Sequence, residues 1–290
     1  MELLVTLRDT KYIEKIKTIC DGIIVGSLFS SGYSYTTDDL IEICEFCRGC
    51  GLKFYIQMDN FISEDELKLA YDYLSLLNKL DVNGIYYHDL GVYDLANSLG
   101  MTGKLIYDGK TVLCNSLDTA FYLSTGINGV KISNELTLEE VSDILKNNPQ
   151  GCDMQLFGHL RMSYSKRRFL KNYFKEINED YDYFNKESLY LIEEKRDYKM
   201  PIVEDDSGTK IYTDYIFVTY REFAIFKPYL KRGIIDTLFI KDDRIIQVLR
   251  DYRHLTSENG KFLLDSLMDS YPDNYSSAYL YEKTNITKDE

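Results

Sequence analysis

Short apolar runs recur along this chain: Leu3–Leu7, Gly22–Gly26, Lys53–Met58, Gly84–His88, Lys104–Tyr107, Gly129–Ile132 and Met154–Phe157. They are short and apolar throughout, as expected of strands covered on both faces. Between them lie segments with helical signals, among them Thr37–Cys50, Ser63–Leu80, Gly91–Leu99 and Leu136–Lys146. In the second of these, Leu67, Ala70, Leu74 and Leu77 recur at helical spacing. In the last, Thr137 and Glu140 fit a capping box, with Thr137 as N-cap. Successive strand–helix units predict parallel βα repeats. With Asp236–Ile240 as an eighth strand before a helix over Ile245–Tyr252, the count predicts a TIM-like (β/α)8 barrel. An open doubly wound sheet is the alternative. No Gly-rich phosphate loop accompanies it, because the glycines of Gly22–Gly26 bound a strand.

Residues 178–213 break the rhythm. Leu189–Glu193, Met200–Val203, the turn Asp205-Asp206-Ser207-Gly208 and Lys210–Thr213 read as an inserted β-hairpin or small meander. Pro201 predicts an edge strand there. The expected organisation is seven βα units over 1–177, the insert over 178–213, a closing barrel unit and helices over 214–269, and a short extended tail with a frayed, charged end over 270–290.

The 44% hydrophobic content is enough for a sizeable core, and 14% aromatic content, with 26 Tyr and no Trp, argues against disorder. A net charge of −13 disfavours nucleic-acid binding by bulk charge and leaves a local basic patch open. The opening MELLVTLRDT lacks a signal-peptide pattern, and no apolar run approaches the ~18 residues that span a bilayer. A soluble, cytoplasmic protein without membrane partners is expected, its six cysteines present as thiols.

In such a barrel, chemistry sits at the C-terminal strand ends. There the sequence places Asp59, Asn60, His88, Asp89, Asp108, Ser133, Asn134, Gly158 and His159, a set able to bind a small polar ligand or move a proton. The same residues could simply cap the following helices. Asp153, His159 and Ser165 form the compact set with the residue types of a nucleophilic triad, crowded onto one stretch. Ser165 is equally placed to cap the helix that begins at Lys166-Arg167-Arg168. That helix should bury Phe169, Leu170, Tyr173, Phe174 and Ile177 and expose Arg167, Lys171 and Lys175 as a basic stripe, a candidate contact for phosphate or carboxylate. Cys44-x-x-Cys47-x-x-Cys50 has the spacing of an iron–sulfur motif. Leu40, Ile43, Cys44 and Cys47 share one helical face, so core packing is the expectation and no metal is assigned.

Across 152–174, CDMQLFGHLRMSYSKRRFLKNYF, the chain resembles peptidase family U32, the collagenase-like peptidases. Asp153, Gly158, Tyr164-Ser165, Arg167, Leu170 and Tyr173-Phe174 fall at places of the family signature, and the likeness extends over most of the chain. The resemblance implies a TIM-like barrel and two competing activities. One is proteolysis. The other is oxygen-independent hydroxylation of a tRNA uridine at C5, with prephenate as oxygen donor. Several members carry an iron–sulfur cluster on cysteines. Here Arg161 and Arg168 stand where two of those are expected, and no cysteine follows Cys152. No cofactor is therefore expected in this chain, and a second, longer U32 protein and tRNA are the expected partners. The binding residues are expected to be Arg161, Arg167, Arg168, Lys171, Asp59, His88, Asp89 and Asp108, the replaced positions presenting positive charge to an anionic partner. A third outcome is a degenerate scaffold whose mouth is blocked by Phe29, Tyr33 and Phe61.

Overall fold

The computed structural model describes residues 1–30, 34–194, 198–240 and 243–282. Eight parallel strands close into a barrel: β1 (Glu2–Leu7), β2 (Gly22–Gly26), β3 (Lys53–Met58), β4 (Gly84–Tyr87), β5 (Leu105–Asp108), β6 (Gly129–Lys131), β7 (Cys152–Ser165) and β11 (Arg232–Ile235). Closure comes from β11, which pairs with β1 on one side and β7 on the other. Around the barrel lie α1 (Ile13–Ile16), α2 (Thr37–Cys50), α3 (Leu67–Leu80), α4 (Leu90–Ser98), α5 (Ser116–Ser124), α6 (Leu138–Asn147), α8 (Phe223–Phe226), α9 (Arg244–His254) and α10 (Gly260–Ser270). The strands read as continuous apolar runs because alternate residues face two cores. Leu4, Ile24, Tyr55, Tyr86, Ile106 and Ile234 fill the barrel, while Leu3, Val5, Ile23, Val25, Ile56 and Ile85 pack in the outer core that the helices cover.

The eighth strand is Arg232–Ile235, not Asp236–Ile240. A strand that opens on arginine and glycine reads as a loop, yet Arg232 is buried, its guanidinium 2.7 Å from the Asp153 carboxylate. Helix α5 gives no apolar pattern either: Leu117 and Phe121 face outward and Thr119 is its buried residue. The capping box at Thr137 forms as the sequence predicts.

Strand β7 does not stop at Phe157. It passes Gly158 and leaves the barrel as an arm, paired antiparallel with β10 (Gly208–Val218). Next to β10 come β9 (Lys199–Asp205) and then β8 (Leu189–Ile192), so the insert extends the barrel sheet. Pro201 is not on an edge strand, since β9 lies between two neighbours. It pairs with Tyr190 of β8, just past the last residue that β9 pairs with β10. The described part of the stretch after 270, up to residue 282, packs onto the rest of the fold. Strand β12 (Tyr275–Ser276) pairs with β10, and Leu280 is buried.

Helix α7 (Phe169–Glu176) follows the arm, and its cap was not visible in the sequence. Ser165 is a strand residue opposite Thr209 and does not cap the helix. The buried Glu204 carboxylate, from β9, accepts from the backbone N–H groups of Leu170 (2.8 Å) and Lys171 (3.2 Å), and Thr209 accepts from Phe169 (3.0 Å). A negative charge here also meets the positive end of the helix dipole. Glu204→Ala should therefore cost about 2 kcal/mol. Amide exchange over 169–176 should quicken while the barrel strands stay protected; unchanged exchange in α7 would refute the capping role.

Candidate functional site

At the C-terminal ends of the strands lies a polar cavity of about 120 Å³. It is comparable to the ~150 Å³ void that accommodates a benzene-sized ring. Asp108 closes β5, Asp59 follows β3, Lys131 closes β6, and Lys110 sits in the loop after β5. Arg161 and His159 come from the β7 arm, Tyr212 from β10, and Asp236 from just beyond β11.

An ion network forms the floor. The Lys110 ammonium lies 2.6 Å from Asp59 and 2.5 Å from Asp108, Lys131 lies 3.3 Å from Asp108, and Arg161 lies 3.4 Å from Asp59. Both carboxylates are buried. Burial opposes ionisation of Asp108, but the charges of Lys110 and Lys131 outweigh it and hold the carboxyl well below the usual range. Burial depresses the Lys110 ammonium below its ordinary value, and Asp108 and Asp59 pull the other way. Lys110 adopts a left-handed backbone (φ 57°), strain held by this double pairing.

His159 lies under the opposite wall. Its Nδ1 is 2.8 Å from the Thr213 carbonyl, which can only accept, so Nδ1 carries the proton and the neutral ring keeps Nε2 as an acceptor. Burial lowers its pKa, which keeps it neutral near pH 7. Tyr212 packs edge-on against Phe239, and its hydroxyl has no hydrogen-bond partner among the described residues. The site thus offers an imidazole acceptor, a phenol and paired cations around one ring-sized space.

Of the residues expected from sequence, Asp59, Asp108, His159 and Arg161 line this cavity. His88 stands beside it, Nδ1 bonded to the Asp108 carbonyl at 2.8 Å and the ring against Phe61. Asp89 ties loops together: Oδ1 accepts from Gly91, capping α4, and Oδ2 accepts from Ile62. Asp153, His159 and Ser165 are not brought together. They sit six residues apart along one strand, and each such step spans ~20 Å in extended chain. Asp153 lies toward the other end of the barrel, bonded to Arg232 and Tyr86, and Ser165 accepts from the Arg167 N–H. Arg167, Arg168 and Lys171 lie outside the mouth, around the start of α7, where Arg168 pairs with Asp206.

The mouth is also not a purely basic surface. Asp59, Asp108, Glu135 and Asp236 face Lys110, Lys131 and Arg161. Nor do Phe29 and Phe61 plug it: Phe29 is buried edge-on against Tyr73, and Phe61 stacks on Tyr164 outside the cavity. Tyr33 lies outside the described residues. Lys110, Lys131, Tyr212, Asp236 and Gln155 were missed. Lys131 could have been found, as a lone lysine in the apolar run Gly129–Ile132.

The sequence pattern of peptidase family U32 matches residues 30–230. The chain belongs to that family. tRNA hydroxylation protein P2 of Bacillus subtilis (strain 168) is 26% identical over 180 residues, 61% of this chain and 58% of that protein. Protein P1 of the same organism, also named for tRNA hydroxylation, is 21% identical over 169 residues, 56% and 40%. An uncharacterized protease of Methanocaldococcus jannaschii is 30% identical over 145 residues, 48% and 35%. The matched region therefore spans less than two thirds of each relative's length. The solved U32 peptidase Mk0906 shares the fold with a TM-score of 0.51 at 14% identity, covering 81% of this chain and 92% of its own.

An iron–sulfur cluster of the kind the U32 resemblance implies does not fit these residues. Arg161 is committed to Asp59 and Arg168 to Asp206. Cys20, Cys44, Cys47 and Cys152 are buried core thiols, and Cys50 and Cys114 are exposed. Burial pushes the Cys47 and Cys152 thiols up to about 12, away from the thiolate a metal needs. No described helix is long and apolar enough to cross a membrane.

Proposed function

We propose that this U32 protein acts in C5-hydroxylation of a tRNA uridine, as an enzyme or as the accessory subunit of a longer U32 protein in the cytoplasm. The likeness to tRNA hydroxylation proteins P2 and P1 carries this reading. The polar mouth supports it, since a ring-sized space lined by Arg161, Lys131, His159 and Tyr212 suits a small polar co-substrate, prephenate by family resemblance. Peptidase activity is the second reading, favoured by the protease relative. Against it, neither serine nor cysteine lines the cavity among the described residues, and the strand holds Ser165 apart from His159.

Mass spectrometry of tRNA nucleosides tests the proposal. A strain lacking this gene, and lacking any other U32 hydroxylation protein, should lose 5-hydroxyuridine derivatives. The wild-type chain, with its longer partner where needed, should restore them, and Tyr212→Phe or His159→Gln should restore at most a tenth. Unchanged nucleosides in the deletion strain would remove the hydroxylation role. Full rescue by both variants would remove the mouth as its site.

A further inference from the structure

Beside the mouth runs a second, wider groove of about 470 Å³, lined by Phe61, Tyr164, Phe184 and Lys166, with Glu66 and the acidic 205–207 turn on its rim, where Asp206 pairs with Arg168 and Asp205 with Lys210. It adjoins the cavity through Tyr164, whose ring lies 5.5 Å from the Arg161 guanidinium. On its other side Arg168 lies 5.9 Å from the Phe184 ring. Next comes α7. Its inward face is Leu170 and Phe174, the latter stacked on Tyr181 and Tyr183. Contrary to the sequence expectation, Phe169, Tyr173 and Ile177 face outward, with Phe169 47% and Tyr173 57% exposed. These rings lie among cations. Residues 161–175 carry six basic side chains and no acidic one, in a chain with 34 Lys and Arg against 47 Asp and Glu. Lys166, Arg167, Lys171 and Lys175 are exposed and have no ion-pair partner among the described residues.

We infer that this groove and the outer face of α7 form a binding track for single-stranded RNA leading to the barrel mouth. Half-exposed rings offer stacking faces to successive bases, and the lysines and arginine meet phosphates. A protein partner fits less well, because interface cores exclude charge and this face interleaves rings with unpaired cations. The choice of RNA as ligand rests on the proposed hydroxylation role; the location rests on the geometry.

Fluorescence anisotropy with a labelled 12-nucleotide oligouridylate tests it on the full chain. Tyr173→Ala and Phe184→Ala should each weaken binding roughly tenfold. The double variant Lys171→Gln/Lys175→Gln should flatten the slope of log affinity against log salt by about 0.7 per lysine removed. These side chains are exposed, so the variants should melt as the wild type does, and the lysine pair tests the track even if an aromatic variant misfolds. Absent binding at low salt, variants that bind as wild type, or equal binding to a duplex of the same length would each overturn the inference. So would a changed sedimentation coefficient with RNA binding intact, which would make the face a protein interface. The hydroxylation role can fail alone: unchanged tRNA nucleosides with RNA binding preserved would leave the track standing.

Discussion

Replacing Arg232 by methionine should destabilise the barrel by about 3–5 kcal/mol, the usual cost of stranding one partner of a buried ion pair. At the size of this chain that lowers the melting temperature by roughly 10 °C. The cause lies in the strand that closes the barrel. Arg232 reaches inward from β11 to Asp153 on β7 at 2.7 Å, while Tyr86 donates to the same carboxylate oxygen at 2.8 Å. The other carboxylate oxygen has no partner among the described residues, so Arg232 supplies most of the compensation. Burial already lifts the Asp153 carboxyl above its ordinary value despite the guanidinium. Without Arg232, whose charge opposes that rise, it goes further up. A folded-state pKa above the unfolded one gives stability that is present at low pH and lost as pH rises through the folded value. The deficit relative to wild type should therefore shrink between pH 8 and pH 5 in urea titrations. A pH-independent deficit would mean the loss is packing alone. The result also bears on Asp153 as a site residue, because this pair holds it at the closing seam, apart from the residues that line the cavity.

That seam marks the boundary of what the sequence made legible. The repeating apolar runs declared the first seven barrel strands, because parallel strands buried on both faces cannot hide. The eighth was invisible for the reason that makes it matter: Arg232 looks like a surface residue until Asp153, 79 positions away, is placed beside it. The site divides along the same line. Asp59, Asp108 and His159 follow from position at strand ends, whereas Lys110, Tyr212 and Asp236 reach the mouth through a strained loop, the insert and a misplaced strand. Helix α7 shows the converse error. Its aromatic residues read as a core face, but Glu204 and Thr209 anchor the helix by its first turn, so Phe169 and Tyr173 are left outside. Periodicity reports that a helix has an apolar side; which side is covered depends on partners remote in sequence.

Gly158→Ala should be as damaging as the loss of Arg232, through backbone alone. Gly158 stands where β7 leaves the barrel and turns into the arm, at φ 116°, which L side chains rarely adopt. A Cβ there would lie 2.4 Å from the Asp236 carbonyl oxygen and 2.9 Å from the Asp236 Cβ. The backbone of 236 cannot retreat cheaply, since its N–H donates to the Phe157 carbonyl at 2.9 Å and its carboxylate accepts from Leu238 N–H at 3.0 Å. Strain and overpacking together should cost of the order of 4 kcal/mol. Asp236 and His159 flank this contact and line the mouth, so relief of the clash should also reshape the cavity. The same substitution at Gly49, inside α2, meets nothing within 4 Å and should instead stabilise by about 0.5–1 kcal/mol. Denaturant midpoints of the two variants should therefore move in opposite directions from wild type. If Gly158→Ala unfolds with the wild-type midpoint, β7 does not pass this close to β11, and the placement of His159 and Arg161 at the mouth fails with it.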